Sequence, residues 1–178
     1  MARQTDTKAR IQAVARELFV QQGVQNTSLR QISDRLGITK PALYYHFASR
    51  DDLVRSIVQP MVEDVERFVA RREPGDPRKL LEDYFDLIWR HREVIVMVVR
   101  EMSTLAYLDL GERMFDWRRR LITLLLGEEI TQAAHIRATV ALGGMADCTV
   151  EYAHLPLDEV KDVAVEAAAA ALRLPGPA

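Results

Sequence analysis

Between Thr39 and Arg50 the chain gathers Lys40, Ala42, Tyr44, Tyr45, His46 and Arg50, a set rich in cations and hydrogen-bonding aromatics. The chemistry open to such a set is recognition of a polyanion. A lysine donates to base acceptors such as guanine O6 and N7 or to phosphate, and Ala42 or the Tyr44 ring can meet a thymine methyl. Tyr45 and His46 can hydrogen-bond phosphate oxygens, which orients a protein without reading sequence. Arg30 and Arg50 would clamp the phosphate backbone on either side, helped by the N–H groups at helix starts.

Helices must position these residues. Ile11, Val14, Ala15, Leu18 and Phe19 recur with helical period until Gly23. Ser28-Leu29-Arg30-Gln31 has the form of a capping box and opens a short second helix that Gly37 stops. Thr39 can cap a third, with Pro41 in its first turn, where a missing N–H costs nothing. At about 100° per residue, Leu43 and Phe47 share one face of this helix while Pro41, Ala42 and Tyr45 point away from it. Two short helices joined by Gly37-Ile38-Thr39 form a helix-turn-helix pattern, in which the first helix braces the second against a DNA major groove. The alternative is a helical hairpin whose tyrosines pack internally.

A fourth helix starts after Ser49, with Asp51 and Asp52 at its positive dipole end, and contains Pro60, where a kink or break is expected. Glu73-Pro74-Gly75-Asp76-Pro77 reads as a loop, followed by a fifth helix ending near His91-Arg92. The β-branched run Val94 to Val99 reads as a buried sixth helix reaching about Leu108. Gly111 interrupts the pattern, and a seventh helix then aligns Met114, Trp117, Leu121, Leu124 and Leu125. The eighth runs from about Thr131 to Tyr152 and the ninth from Leu157 to Leu172, before a tail, Pro175 to Ala178, expected to be disordered.

Residues 10–58 resemble the N-terminal domain of TetR-family transcriptional regulators. The resemblance rests on Thr27-Ser28-Leu29-Arg30-Gln31-Ile32, then on the run from Leu36 through Phe47, and on Leu53. It implies an all-α homodimer of about nine helices per subunit, whose first three helices bind a palindromic operator in double-stranded DNA. The remaining helices would hold a small-molecule pocket and the dimer interface. On that resemblance Ser28, Arg30, Lys40, Ala42, Tyr44, Tyr45, His46 and Arg50 are the DNA-binding residues. Ala42 is often larger and polar in relatives, so its part in base reading is weak. The division expected is a helix-turn-helix domain over 1–55 and a helical ligand-binding and dimerisation domain over 56–178.

The second region carries no motif. Helix eight has Gly143-Gly144 at its middle, and Val160, Val163, Ala164, Ala167, Ala168 and Ala171 form a stripe of small residues on helix nine. Small residues let helices approach closely. By resemblance, helices eight and nine of two subunits make a four-helix dimer interface; close packing within one subunit is the alternative. Candidate pocket residues are Trp89, Met97, Arg100, Tyr107, Phe115, Trp117, Met145, Cys148 and Tyr152. Arg100, if buried beside the apolar run, must pair with Glu101, Asp147 or a ligand anion.

The chain has 178 residues, 48% of them hydrophobic, enough for a real core. Its net charge of −2 hides an asymmetry. Residues 1–55 carry nine Lys/Arg against five Asp/Glu, whereas the rest carries fifteen against twenty-one. A basic head on an acidic body suits a polyanion partner for the head alone. Apolar runs such as Val94 to Val99 fall far short of the ~20 residues that span a bilayer, and the polar start lacks a signal-peptide core, so no membrane association and a cytoplasmic location are expected. Cys148 is the only cysteine, and His91, His135 and His154 lack metal-ligand spacing. With no Ser/His/Asp order, P-loop or Gly-rich nucleotide loop, neither an enzyme nor a cofactor is expected. The function class is a ligand-responsive regulator, most simply a repressor released by a small, largely apolar molecule; the alternative is a helical scaffold for a protein partner without specific DNA binding.

Overall fold

In the computed structural model residues 2–101 and 108–175 are described, with side chains from residue 6 onward. Among them are nine helices and no strand. They are α1 (Ala2–Gln22), α2 (Leu29–Leu36), α3 (Lys40–His46), α4 (Arg50–Arg71), α5 (Pro77–Arg90), α6 (Arg92–Arg100), α7 (Leu110–Leu126), α8 (Gln132–Glu151) and α9 (Leu157–Leu172).

Local chemistry sets the ends of the first four. At Gly23 the backbone turns to φ +88°, and at Gly37 to φ +65°, a region open to glycine at no steric cost. Ser28 and Gln31 form a reciprocal capping box on α2, Thr39 caps α3 by accepting from Ala42 N, and Ser49 caps α4 by accepting from Asp52 N. Their inward faces close a first apolar cluster around Ile11, Phe19, Ile32, Leu43, Phe47 and Leu53. That cluster does not stop at residue 55. It continues along α4 through Val58, Met61 and Val65 to Met97 and Val98 of α6 and to Leu110.

A second cluster joins α5, α7, α8 and α9 through Leu81, Phe85, Leu121, Leu125, Ala138, Leu142, Met145, Val160, Ala164 and Ala168. Phe68, Ile95 and Trp117 pack against both clusters and mark the seam between them.

Four sequence expectations change. Of the kink or break expected at Pro60, the break does not occur, and α4 runs without interruption from Arg50 to Arg71. A proline at that place cannot bond the carbonyl one turn back, at Ser56. That carbonyl instead accepts from Gln12 Nε2 of α1 at 3.2 Å, and the same amide lies 3.0 Å from Ser56 Oγ. The second change is at α6, which ends at Arg100; Glu101 leaves helical geometry, and the expected continuation falls largely outside the described residues. Thirdly, Gly111 lies in the first turn of α7 rather than before it. Fourthly, the small-residue stripe of α9 divides: Val160, Ala164 and Ala168 are buried, whereas Val163 and Ala167 are exposed. The tail beyond Pro175 lies outside the described residues.

Candidate nucleic-acid interface and ligand cavity

The helix-turn-helix stands on two buried anchors. Leu43 is fully buried and Phe47 nearly so, with the Lys8 ammonium 5.6 Å from the centre of the Phe47 ring. Holding these two inward leaves Tyr44 49% and Tyr45 73% exposed, beside exposed Lys40 and Ala42. Tyr45 and His46 meet edge to face at 5.3 Å. The alternative of tyrosines packed internally is therefore not what this helix does.

Lys40, Tyr44, Ser28, Arg30 and Arg50 line one open groove of ≈ 580 Å³, together with Gln25, Asn26, Thr27, Ala48, Ser49 and Asp51. The starts of α2, α3 and α4 all border it. Each cap satisfies one of the orphan N–H donors at its helix start, and the helix dipoles there favour an anion. Asp51 opposes that field at the α4 edge. Among the described residues, the Arg30 guanidinium has one ionic neighbour, exposed Asp34 one turn on at 3.6 Å. Ala42, Tyr45 and His46 lie outside the groove on the neighbouring face of α3.

Arg50 is more than a surface cation. Its guanidinium donates to the carbonyls of Val24 and Gln25, at 3.3 and 3.2 Å, and to Gln25 Oε1 at 2.9 Å. It thus ties the α1–α2 connection to the start of α4. Gln25 N in turn donates to Glu101 Oε1 at 3.1 Å, and Arg100 donates to the Val20 carbonyl at 3.0 Å. The end of α6 is therefore bonded to the loop that borders the groove. Gln25 and Glu101 carry no local sequence signal, because their contact joins segments 76 residues apart.

The cavity lies at the seam of the two clusters and holds ≈ 150 Å³. Each surrounding helix gives it one row at helical spacing: Met61 and Val65 of α4, Tyr84 and Ile88 of α5, Ile95, Val98 and Val99 of α6, Leu110, Met114, Trp117, Arg118 and Leu121 of α7, and Leu142 and Ala146 of α8. His91, between α5 and α6, completes the wall. Its Nε2 lies 2.9 Å from Asp64 Oδ2. Asp64 also accepts from Arg67, and the His91 hydrogen bond in particular holds its carboxyl below the ordinary 3.8. Burial pushes the Tyr84 hydroxyl up, against a smaller opposing effect of the Arg118 charge.

Of the pocket candidates read from the sequence, Trp117 lines this cavity. Trp89 is buried in the second cluster, stacked on Phe85, and Met145 is buried in the same cluster; Met97 is buried in the first. Phe115 is 68% exposed, and Tyr152 and Arg100 are exposed too, the last engaged with Val20 rather than with a buried acid. Cys148 packs half-buried against the second cluster, where burial raises its thiol pKa. Tyr107 lies outside the described residues. The difference is one of helical phase. On α7 the row 110, 114, 117, 118, 121 faces the cavity, and Phe115 is turned off it. Sequence reasoning missed Tyr84, His91 and Arg118, whose only signal is a polar side chain recurring within an apolar row.

Among the described residues no group of three or more His, Cys, Asp or Glu could hold a metal ion, and no helix is long and apolar enough to cross a membrane.

Residues 11–57 match the family model for bacterial regulatory proteins of the tetR family. The HTH-type transcriptional regulator AcrR of Shigella flexneri is 36% identical over 112 residues, covering 58% of this chain and 47% of that relative. The HTH-type transcriptional activator FasR of Mycolicibacterium smegmatis is 33% identical over 89 residues, 47% of this chain and 41% of that one. The chain thus spans about half the length of the curated relatives it matches. Solved structures match over more of the length. A transcriptional regulator of the TerR/AcrR family from Aquifex aeolicus superimposes with TM-score 0.75 at 25% identity, covering 90% of this chain and 96% of that one. A TetR-like regulator from Rhodococcus gives 0.70 at 21%, covering 93% and 94%.

Proposed function

We propose, from the match of residues 11–57 to the TetR family of transcriptional regulators and the likeness to its relatives, that this chain is a homodimeric, cytoplasmic repressor of that family that leaves its operator when a small, largely apolar effector fills the cavity. Residues 1–55 are the reading head, and the remainder binds effector and partner subunit. The observation that carries the reading is the outward face of α3, where Lys40, Tyr44 and Tyr45 stand exposed beside a groove bordered by three helix starts. Ser28, Arg30, Lys40, Tyr44 and Arg50 hold phosphates in the groove, and Ala42, Tyr45 and His46 meet the duplex from α3.

A dimer through α8 and α9 is supported by what those helices leave uncovered. Ile136 and Val140 of α8 are 56% and 61% exposed, and Val163 of α9 is 71% exposed. Gly144 continues the α8 row, and a Cβ built on Gly143 or Gly144 meets nothing within 4 Å. The glycines are therefore not required by packing inside the subunit, and their open backbone suits a second copy. Replacing Ile136 with Arg should shift the protein from dimer to monomer in sedimentation equilibrium; a dimer of unchanged strength would move the interface elsewhere.

The effector acts by differential affinity. It binds one separation of the two α3 helices more tightly and shifts the dimer away from the spacing of about 34 Å that matches one turn of DNA. Helix α6 is suited to carry that shift, since Ile95, Val98 and Val99 line the cavity while Arg100 and Glu101 are bonded to the head.

The test is a gel shift with the DNA upstream of the protein's own gene, at stated salt. Tyr44→Ala should abolish a sequence-specific shift while leaving thermal stability unchanged. If the unaltered protein gives no specific shift under any condition, the reading fails and the scaffold alternative stands.

A further inference from the structure

The cavity is apolar except where α5 and α7 face it, and its polar groups are unequal. His91 is committed to Asp64, which is itself shared with Arg67. Tyr84 contributes a hydroxyl that burial keeps protonated. Arg118 differs from the other α7 arginines. Arg113 pairs with Glu66, Arg119 with Asp116, and Arg120 donates to the Val69 carbonyl. Arg118 has no hydrogen-bond or ion-pair partner among the described residues. Its own helix supplies none either, because Met114, Phe115, Leu121 and Ile122 occupy the positions three and four away. Among the described residues no carboxylate lines the cavity.

A half-buried arginine lining an apolar void, with no acid to meet it, is complementary to an anion. We infer that the effector is a small organic monocarboxylate whose apolar body enters the cavity and whose charged end is held by Arg118. Tyr84 supplies a further donor within the wall. Void size limits the body: a space of about 150 Å³ accepts a molecule near benzene in bulk. The entrance is on the side of Val99 and Met114, lining residues that are 46% and 44% exposed. This inference rests on the cavity being the effector site and narrows the class of molecule it takes.

The experiment is isothermal titration of the full chain with benzoate and hexanoate, each against its neutral counterpart, benzyl alcohol and 1-hexanol. The acids should bind at least about tenfold more tightly, the range of a charge-assisted hydrogen bond. Arg118→Gln should remove that advantage and leave the alcohols within about twofold, while Arg118→Lys should restore part of it. If Arg118→Gln does not fold, the acid-to-alcohol ratio in the unaltered protein and its decline with salt decide the matter. Alcohols binding as well as acids, acids unaffected by Arg118→Gln, or no acid binding at all would each overturn the inference. The same ligands added to the gel shift separate the two readings. Acids that bind without releasing DNA sink the effector mechanism and leave the anion site standing. Alcohols that bind as tightly as the acids and release DNA do the reverse.

Discussion

In the head, the side chains proposed to face DNA stand between Ser28 and Arg50 and are aimed by caps and two buried anchors, whereas the cavity takes its wall from residues between Met61 and Ala146 on separate helices. The two regions share one apolar cluster along α4 and α6, yet they depend on it differently. A recognition surface needs only that its inner face be held still. A cavity needs several helices to stop short of one another at a seam, so it is the more sensitive to packing elsewhere.

The comparison can be broken most forcefully at Phe47. Phe47→Ala removes one of the two anchors of α3 and should cost about 3–5 kcal/mol in denaturant unfolding. Because the cluster runs on through α4, head and body should unfold together, so one transition is expected; two separate transitions would mean that residues 1–55 fold as a unit apart. A smaller effect is expected at Gln12, whose amide meets the carbonyl that Pro60 leaves unbonded. Gln12→Ala leaves that partly buried acceptor without its partner and should cost about 1–2 kcal/mol. The double variant Gln12→Ala with Pro60→Ala should recover part of the loss, since a residue with an N–H can then bond Ser56.

The smallest effect sits at the cavity wall. Asp64→Asn should cost about 1 kcal/mol near neutral pH through its weakened bond to His91. The pH dependence follows from the sign of the shift. Asp64 titrates lower in the folded state than its ordinary 3.8, so the stabilisation tied to its ionisation is present above that value. It is lost as pH falls through the folded value, and the stability difference between the native protein and Asp64→Asn should vanish there. A difference that persists at lower pH would mean that the pair matters for packing rather than charge.

Much of the head was legible in the sequence because its signals are local. Ser28 and Gln31 cap at a separation of three residues, Gly37 ends α2 in a left-handed turn, and the phase of Leu43 and Phe47 decides which face of α3 looks outward. The helices of the body were legible for the same reason, by their period. Their rows were not. Periodicity says that Met114, Trp117, Arg118 and Leu121 share a side of α7, but not that this side meets a void while Leu124 and Leu125 meet the second cluster. Choosing Phe115, Met97 and Met145 as wall residues followed residue type, and phase overrode type.

By itself, then, the sequence determined the helices, the caps that end them and the outward composition of α3, because each depends on neighbours within about one turn. Tertiary structure alone decided that Gln12 would complete the backbone at Pro60, that Arg50, Gln25 and Glu101 would link the head to α6, and that Arg118 would face the cavity without an acid. Those outcomes depend on how distant helices cross, and a cation's partner, or its lack of one, exists only after they have packed.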